Sequence, residues 1–521
     1  MDLLKKCVGL FTHLAKEMRW SYVPPLMVYF AFGVSGFTSI IESFYVKQEL
    51  ALSADFLAAL SFWVIIPWSL KIPIGHMVDL FWRWKSTFVF IGAGFMTASI
   101  LIMVGLTGNP QWMTAIWSLE KWYILGALLA PVGFVLQDVV ADAMTIEAVP
   151  TTDENGNELP EEQLRYMHVT MQTLGRIAIM GGITLVSGIG GWLASVYSYH
   201  WMYTISLVVP LISVSGVFLG FWFKNKQAKD LRFNGVEESR IKEILHESQQ
   251  KVTANWWILG GSAVYVVLVV GIGLSSFALD KEVVFIGSLA IIGFLVKKLI
   301  QDLPKEKQTQ LVAMACIIFV FRATPASGAG AYWWQIDTLA FDESFMGTLS
   351  QIASVLSIIG MFMLREWMQS RPMHYFVVFL SLIGFVLSLP TIGMYYGLHE
   401  WTAANLGFGA KTIAIIDTVA GSPFGQVAMI PLLAWIAQEA PKHLKATYFA
   451  VMAGFTNLTL SASSLGTKYL NQIFTVTREV RENGVVIVSQ DYSEVGSLMI
   501  TVAILSLVIP ILVVYLLRKK I

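Results

Sequence analysis

Asp138, Asp142 and Glu147 are the first residues whose types and spacing suggest chemistry. They fall in Gln137-Asp138-Val139-Val140-Ala141-Asp142-Ala143-Met144-Thr145-Ile146-Glu147, the end of an apolar run that begins near Trp122. Such a run reads as a membrane helix, and an acid at its centre costs roughly 2.5–3.5 kcal/mol on insertion scales. Acids in that setting face a bundle interior or a watery path and have partners. Asp138 and Asp142 stand four apart and share one helix face. Glu147 lies about 140° round from Asp142 and close to the helix end. A chain carrying such a helix is expected to move something across the membrane. Asp138, the deeper acid, is assigned the coupling proton. A contact to a cationic part of a substrate is the alternative, and a static pair with a buried base is the plainer reading.

Four bases also fall within apolar runs: Lys71, Arg176, Arg322 and Lys468. Arg176 follows Gly175 in mid-span, and Arg322 stands two residues before Thr324-Pro325. A proline removes a backbone hydrogen bond and kinks a helix, which exposes carbonyls within the membrane. Interrupted helices at that depth line many transporter sites. Arg176 and Arg322 are therefore assigned to an anionic substrate, which a guanidinium can grip with two parallel bonds. Neutralising Asp138 or Asp417 is their structural alternative. Lys71 is assigned to the same substrate group, with snorkelling towards the membrane surface as its alternative.

The elements that must hold these residues follow from composition. Of 521 residues, 56% are hydrophobic and 13% charged, against about 25% charged in a soluble chain. Continuous apolar runs predict an all-α polytopic membrane protein and exclude an alternating β-barrel. Spans are expected at 24–46, 55–77, 86–107, 119–147, 165–190 and 200–223, then 256–279 and 283–300. Six more follow at 310–335, 344–364, 374–396, 411–438, 444–470 and 494–517, which makes fourteen transmembrane helices. The chain thus divides into a cytoplasmic N-terminal segment (1–23), a six-helix half (24–223), a cytoplasmic linker (224–255), an inserted hairpin (256–300), a second six-helix half (301–517) and a tail (518–521). The apolar stretch after Lys5-Lys6 is short and soon broken by His13, Lys16 and Glu17, so 1–20 does not read as a signal peptide. Leu3, Cys7, Leu10, Leu14 and Met18 recur at helical spacing there and predict an interfacial helix. With the N-terminus inside, about 25 of the Lys and Arg residues fall on the cytoplasmic side and about 6 on the other. Both termini are therefore placed in the cytoplasm, in a multi-pass protein of the cell membrane.

Net charge is zero, which gives no sign of a nucleic-acid partner. Cys7 and Cys316 are isolated and the eight histidines are scattered, so no disulfide framework, metal site or cofactor is expected. The expected partners are an anionic small molecule, protons and the lipid bilayer. No span carries a nucleophile–base pair or a metal cluster, which argues against an enzyme. A non-transporting receptor or assembly protein is the rival from another class.

Two six-helix halves joined on the cytoplasmic side resemble the major facilitator superfamily. Gly75-His76-Met77-Val78-Asp79 with Arg83 and Lys85, between spans two and three, resembles its loop motif. The resemblance implies a latch on the cytoplasmic side, in which Gly75, Asp79, Arg83 and Lys85 act with Asp142 and Glu147. The second half has Gly360, Arg365 and Arg371 but Leu364 in place of the acid. Several stretches are similar to the folate–biopterin transporter family. They are Pro67-Trp68-Ser69-Leu70-Lys71, the Asp138–Asp142 stretch with Glu147, Phe321-Arg322-Ala323-Thr324-Pro325, and Ala440-Pro441 through Ala446-Thr447 and Phe449-Ala450 to Asn457. Lys445 stands where that family's pattern has an acid. The resemblance implies proton-coupled symport of a folate- or pterin-like anion by alternating access. Muropeptide permeases and related acetyl-CoA carriers, which share a Gln-Asp-x-x-x-Asp-Ala signature, imply a different metabolite.

The remaining features carry structural expectations. Tyr332, Trp333 and Trp334 suit an interfacial belt or stacking on a pterin-like ring. Gly181-Gly182, Gly188–Gly191 and Gly328–Gly330 suit close helix packing. Lys468 is expected to snorkel, and the hairpin 256–300 to face lipid. Asn483-Gly484 between apolar stretches predicts an external β-hairpin.

Overall fold

Apolar runs become helices because lipid offers no partner for a bare backbone amide. The structure, a computed structural model, describes residues 18–50, 52–69, 71–81, 84–149, 159–245, 279–301, 303–364, 371–425, 445–482 and 485–520, with scattered positions from 256 to 272 and at 367. The predicted N-terminal interfacial helix, Arg83, most of span 256–279 and the Ala440-Pro441 motif lie outside them. Asp79 and Glu147 lie on described helix, but their side chains do not.

The first elements are α1 (Val23–Val34), α2 (Ser39–Glu49), α3 (Ala54–Ser69), α4 (Lys71–Leu80), α5 (Lys85–Gly108), α6 (Leu119–Ala148), α7 (Glu161–Val196), α8 (Val208–Phe233) and α9 (Glu238–Ile244). They are followed by α10 (Asp280–Ile300), α11 (Lys305–Arg322), α12 (Ala329–Asp337), α13 (Glu343–Met363), α14 (Met373–Tyr395), α15 (Ala410–Gly421) and α16 (Lys445–Ile473). The chain closes with β1 (Val480–Glu482), β2 (Val485–Val488) and α17 (Val495–Leu517). Pro160, Pro304 and Pro372 precede α7, α11 and α14, where a missing amide proton costs nothing. The Asp342 carboxylate caps α13 by accepting from Phe345 N at 2.8 Å. Among the described residues seven helical stretches are long and apolar enough to cross a membrane. Span seven breaks between α11 and α12.

Two compact units emerge: residues 1–39 with 73–261, and residues 40–72 with 262–521. In the first, close helix contact rests on glycine. A Cβ on Gly92 would lie 2.6 Å from the Gly133 carbonyl oxygen, and one on Gly133 equally close to that of Gly92. This presses α5 onto α6. A Cβ on Gly182 of α7 would lie 2.8 Å from Phe30 O of α1, and one on Gly190 2.7 Å from Phe37 O, as the expectation of close packing required. Gly181 has open space and carries none of it. The α8 helix runs ten residues past the expected end of its span. Ala228 and Leu231 there pack on Ile241 of α9 and on Leu245 just after it, and Arg232 pairs with Glu238.

In the second unit α3 packs along α16. Phe62, Ile66, Val269, Val284 and Leu465 form one apolar cluster between α3, the inserted hairpin and α16. The opposite face of α10 leaves Ile286 64% and Phe294 53% exposed. A second cluster joins Ile317 and Ile318 of α11 to Val377 of α14, Met452 of α16 and Val514 of α17. The predicted hairpin is present: β1 and β2 pair antiparallel, with Glu482 opposite Val485 and Val480 opposite Val488.

Candidate functional site

The acids of α6 converge on an aromatic residue that the sequence did not single out. Tyr29 of α1 is 6% exposed, and its hydroxyl donates to Asp142 Oδ1 at 2.6 Å. The Asp142, Asp138 and Arg176 charges all lie near enough to act on that hydroxyl. The ring lies against Gly175, where a Cβ would meet Tyr29 Cε2 at 3.0 Å. The absence of a side chain at 175 thus lets α1 and α7 close around the phenol. Asp138 is half-buried and Arg176 exposed. Three of the expected site residues, Asp138, Asp142 and Arg176, therefore meet around Tyr29 in the first unit. Gln137 faces the other way: its Nε2 donates to Val89 O at 3.2 Å and Ser213 Oγ at 2.9 Å, which ties α6 to α5 and α8. Nothing in an apolar span distinguishes Tyr29 from other aromatics, so the signal was absent from the sequence.

Of the latch residues, Lys85 is 7% exposed at the start of α5. A Cβ on Gly75 would meet only Val139 Cγ1, at an ordinary 3.9 Å. The second-half counterpart is tighter: a Cβ on Gly360 would overlap the Pro423 backbone, with its Cα at 2.5 Å. Lys71, on α4, is half-buried.

In the second unit the helix of span seven stops at Arg322 and resumes at Ala329, so Pro325 interrupts the span over several residues. Gly328 takes φ +75°, a left-handed backbone that suits glycine. Arg322 is half-buried, and its Nε donates to Thr459 Oγ1 of α16 at 3.4 Å. The interrupted backbone is met by α16 as well. Ser463 Oγ donates to Thr324 O at 2.7 Å, Ala326 N to Thr467 Oγ1 at 2.9 Å, and Asn471 Nδ2 to Ser327 O at 3.3 Å. Their four-residue spacing is visible in the sequence and was missed because hydroxyl residues are common in membrane helices. Asn457 Nδ2 donates to Trp68 O at 3.3 Å, so two of the motif stretches touch. Asp417 accepts from Thr391 Oγ1 at 3.3 Å.

The aromatic patch is neither a lipid belt nor an open stacking platform. Trp333 and Trp334 are 2% and 3% exposed. Trp333 lies under the Arg478 guanidinium at 5.7 Å, Trp334 packs on Tyr395, and Tyr332 packs edge-on to Phe44. Around them runs a polar fastening. Lys47 pairs with Asp337 at 2.5 Å, and the Tyr492 hydroxyl donates to the same carboxylate. Burial and that carboxylate push the Tyr492 phenol well above its ordinary range, so it stays a donor. Arg478 Nη1 donates to Val46 O at 3.1 Å and to Lys47 O, at the end of α2. Lys468 does not snorkel; it pairs with Glu282 of the inserted hairpin at 2.9 Å, beside the Tyr469 hydroxyl. A carboxylate within reach holds the ammonium more firmly than the membrane surface does.

The comparisons agree with this architecture. The sequence model of the BT1 family matches residues 32–521. A folate–biopterin transporter of Synechocystis sp. is 22% identical over 449 residues, which is 85% of this chain and 73% of that protein. A putative folate transporter 2 of Plasmodium berghei is 24% identical over 148 residues, 27% of this chain and 30% of that protein. Among solved structures, a peptide transporter POT in complex with sulfate superposes with a TM-score of 0.57 at 13% identity, covering 97% of this chain and 95% of its own. A POT family transporter in complex with 5-aminolevulinic acid gives 0.55 at 11% identity, with 96% of each chain covered. At those identities the likeness speaks for the fold, which is the major-facilitator fold. These relatives are transporters rather than enzymes. A polytopic helical chain with this fold, matched along nearly its whole length, is a multi-pass membrane transporter and belongs to the BT1 family.

Proposed function

We propose that this chain is a secondary active carrier that imports a small organic anion of the folate or pterin type by alternating access, coupled to protons. The observation that carries the reading is the grouping of Asp138, Asp142 and Arg176 around the Tyr29 hydroxyl. Two acids within a membrane-spanning helix are costly unless they bind, release or exchange charge. Asp138, the deeper of the two acids in the span, is the proton carrier. Arg176 and Arg322, with Lys71, take the anion. The latch of Gly75, Asp79, Arg83, Lys85, Asp142 and Glu147 acts on the cytoplasmic side of the cell membrane, where both termini lie. The folate named for two relatives supplies the first substrate to try.

The test is uptake of labelled folate into proteoliposomes with and without an inward proton gradient. Saturable, gradient-stimulated uptake is expected. Asp138→Asn should abolish accumulation against a gradient while folate exchange between the two sides persists. Accumulation that survives in Asp138→Asn rules out the proton assignment.

A further inference from the structure

Thr459, Ser463, Thr467 and Asn471 repeat every four residues and so stand above one another on one face of α16. Their contacts advance in step along the interruption of span seven, reaching Arg322, Thr324, Ala326 and Ser327 in turn. The register has a simple cause. Four helical residues climb about 6 Å, and two residues of chain released from helix cover up to about 6.6 Å. A helix stepping by four therefore keeps pace with an open chain stepping by two. The last step is shorter, and the longer Asn471 side chain spans it. The contacts of Ser463, Thr467 and Asn471 satisfy backbone groups that the interruption would otherwise leave bare in the membrane. Gly466 adds to the fit, since a Cβ there would lie 3.2 Å from Pro325 Cβ.

We propose that this ladder positions Arg322: Thr459 fixes the Nε edge of the guanidinium, and Ser463, Thr467 and Asn471 fix the chain that carries it. Thr459 is fully buried, and its own hydroxyl donates to Thr456 O at 2.6 Å. That bond turns its oxygen lone pairs towards Arg322. A guanidinium held at Nε presents its planar fork in one orientation, which two-point recognition of a carboxylate needs. The ladder thus sets affinity and selectivity for a carboxylate without touching it. The inference rests on the reading that Arg322 takes the anion.

The experiment compares Thr459→Val, Thr459→Ser, Ser463→Ala and Arg322→Gln in reconstituted full-length protein, measuring KM and Vmax for folate and for pterin, which lacks the glutamyl carboxylates. Thr459→Val should raise KM for folate about tenfold with Vmax within about twofold, as expected when ground-state and transition-state binding fall together. Thr459→Ser should restore the wild-type KM. Pterin transport should not respond to Thr459→Val. A merely structural role would affect both substrates alike, and that outcome overturns the inference. Unchanged folate KM in Thr459→Val, with a raised KM in Arg322→Gln, overturns the ladder alone. Unchanged KM in Arg322→Gln, or no saturable folate uptake by the unsubstituted protein, overturns the anion reading beneath it. Should Thr459→Val not fold, Ser463→Ala must raise the folate KM, and a wild-type value there overturns the proposal.

Discussion

At the scale of single residues, two glycines that look alike in the sequence have different jobs. Gly75 and Gly360 stand at corresponding places of the two halves, and the loop-motif resemblance gave a latch role to Gly75. A Cβ on Gly75 meets Val139 at van der Waals distance, whereas one on Gly360 overlaps the backbone of Pro423. Backbone cannot swing aside as a side chain can, so Gly360→Ala should lose about 3 kcal/mol, at the upper end of overpacking costs. Gly75→Ala should be neutral or gain about 0.5 kcal/mol from reduced chain entropy in a helix. Thermal unfolding of the two variants in detergent separates them, and equal midpoints would refute the distinction. The same contrast explains what could be read in advance. The cost of acids and bases in lipid marks Asp138, Asp142, Arg176 and Arg322 in the sequence alone. Tyr29 pays no such cost, and only the folded chain shows the acids and Arg176 gathered near it.

At the scale of elements, the sequence told where a helix must fail but not what replaces it. Pro325 predicts the interruption of span seven, and Asn483-Gly484 predicts the hairpin between β1 and β2. The partners of each lie about a hundred residues away or more, beyond the reach of periodicity. The segment carrying the hairpin is tied down at several points. A Cβ on Gly330 would crowd Val476 at 2.8 Å, Tyr395 donates to Ser493 O at 2.7 Å, and Arg478 caps the last carbonyls of α2. A cation at a helix C-terminus opposes the negative end of the helix dipole and satisfies carbonyls that have no partner within the helix. Arg478 is only 6% exposed, so truncation leaves these acceptors buried. Arg478→Ala should cost about 2–3 kcal/mol, the worth of a charge-assisted hydrogen bond in such a place. Arg478→Lys should recover part of the loss, because its single ammonium still reaches one carbonyl. A midpoint for Arg478→Ala equal to that of the wild type would show that the segment is held by its apolar contacts alone.

At the scale of the whole molecule, the order of spans was legible and the partition of contacts was not. Hydropathy places residues 40–72 in the first run of six spans, yet they belong to the second compact unit. Lipid makes all apolar faces equivalent, so small residues and polar contacts decide which helices pair. For α3 the deciding contacts are Asn457 with the Trp68 carbonyl and Gln472 with Asp55, neither of which hydropathy can register. The inserted hairpin obeys the same rule. Its α10 joins α16 through an apolar cluster and through Glu282, which Lys468 and Tyr469 both hold. Burial works against the Glu282 carboxylate, but the hydrogen bonds from Tyr469 and Lys468 outweigh it and hold the group below its ordinary range. A carboxylate lowered in this way binds its proton more tightly in the unfolded chain, so its contribution is full above about pH 5 and fades as pH falls through the folded value. The pair is partly screened, and its loss in Glu282→Gln should lower stability by about 1 kcal/mol. The gap between Glu282→Gln and wild type should therefore stay constant from neutral pH down to about pH 5 and close below the ordinary carboxylate range near 4. Unfolding midpoints across that series decide the matter. A gap that persists at low pH would mean that Glu282 serves the hairpin through packing, and that the charge on Lys468 is not what fastens the insert to the second unit.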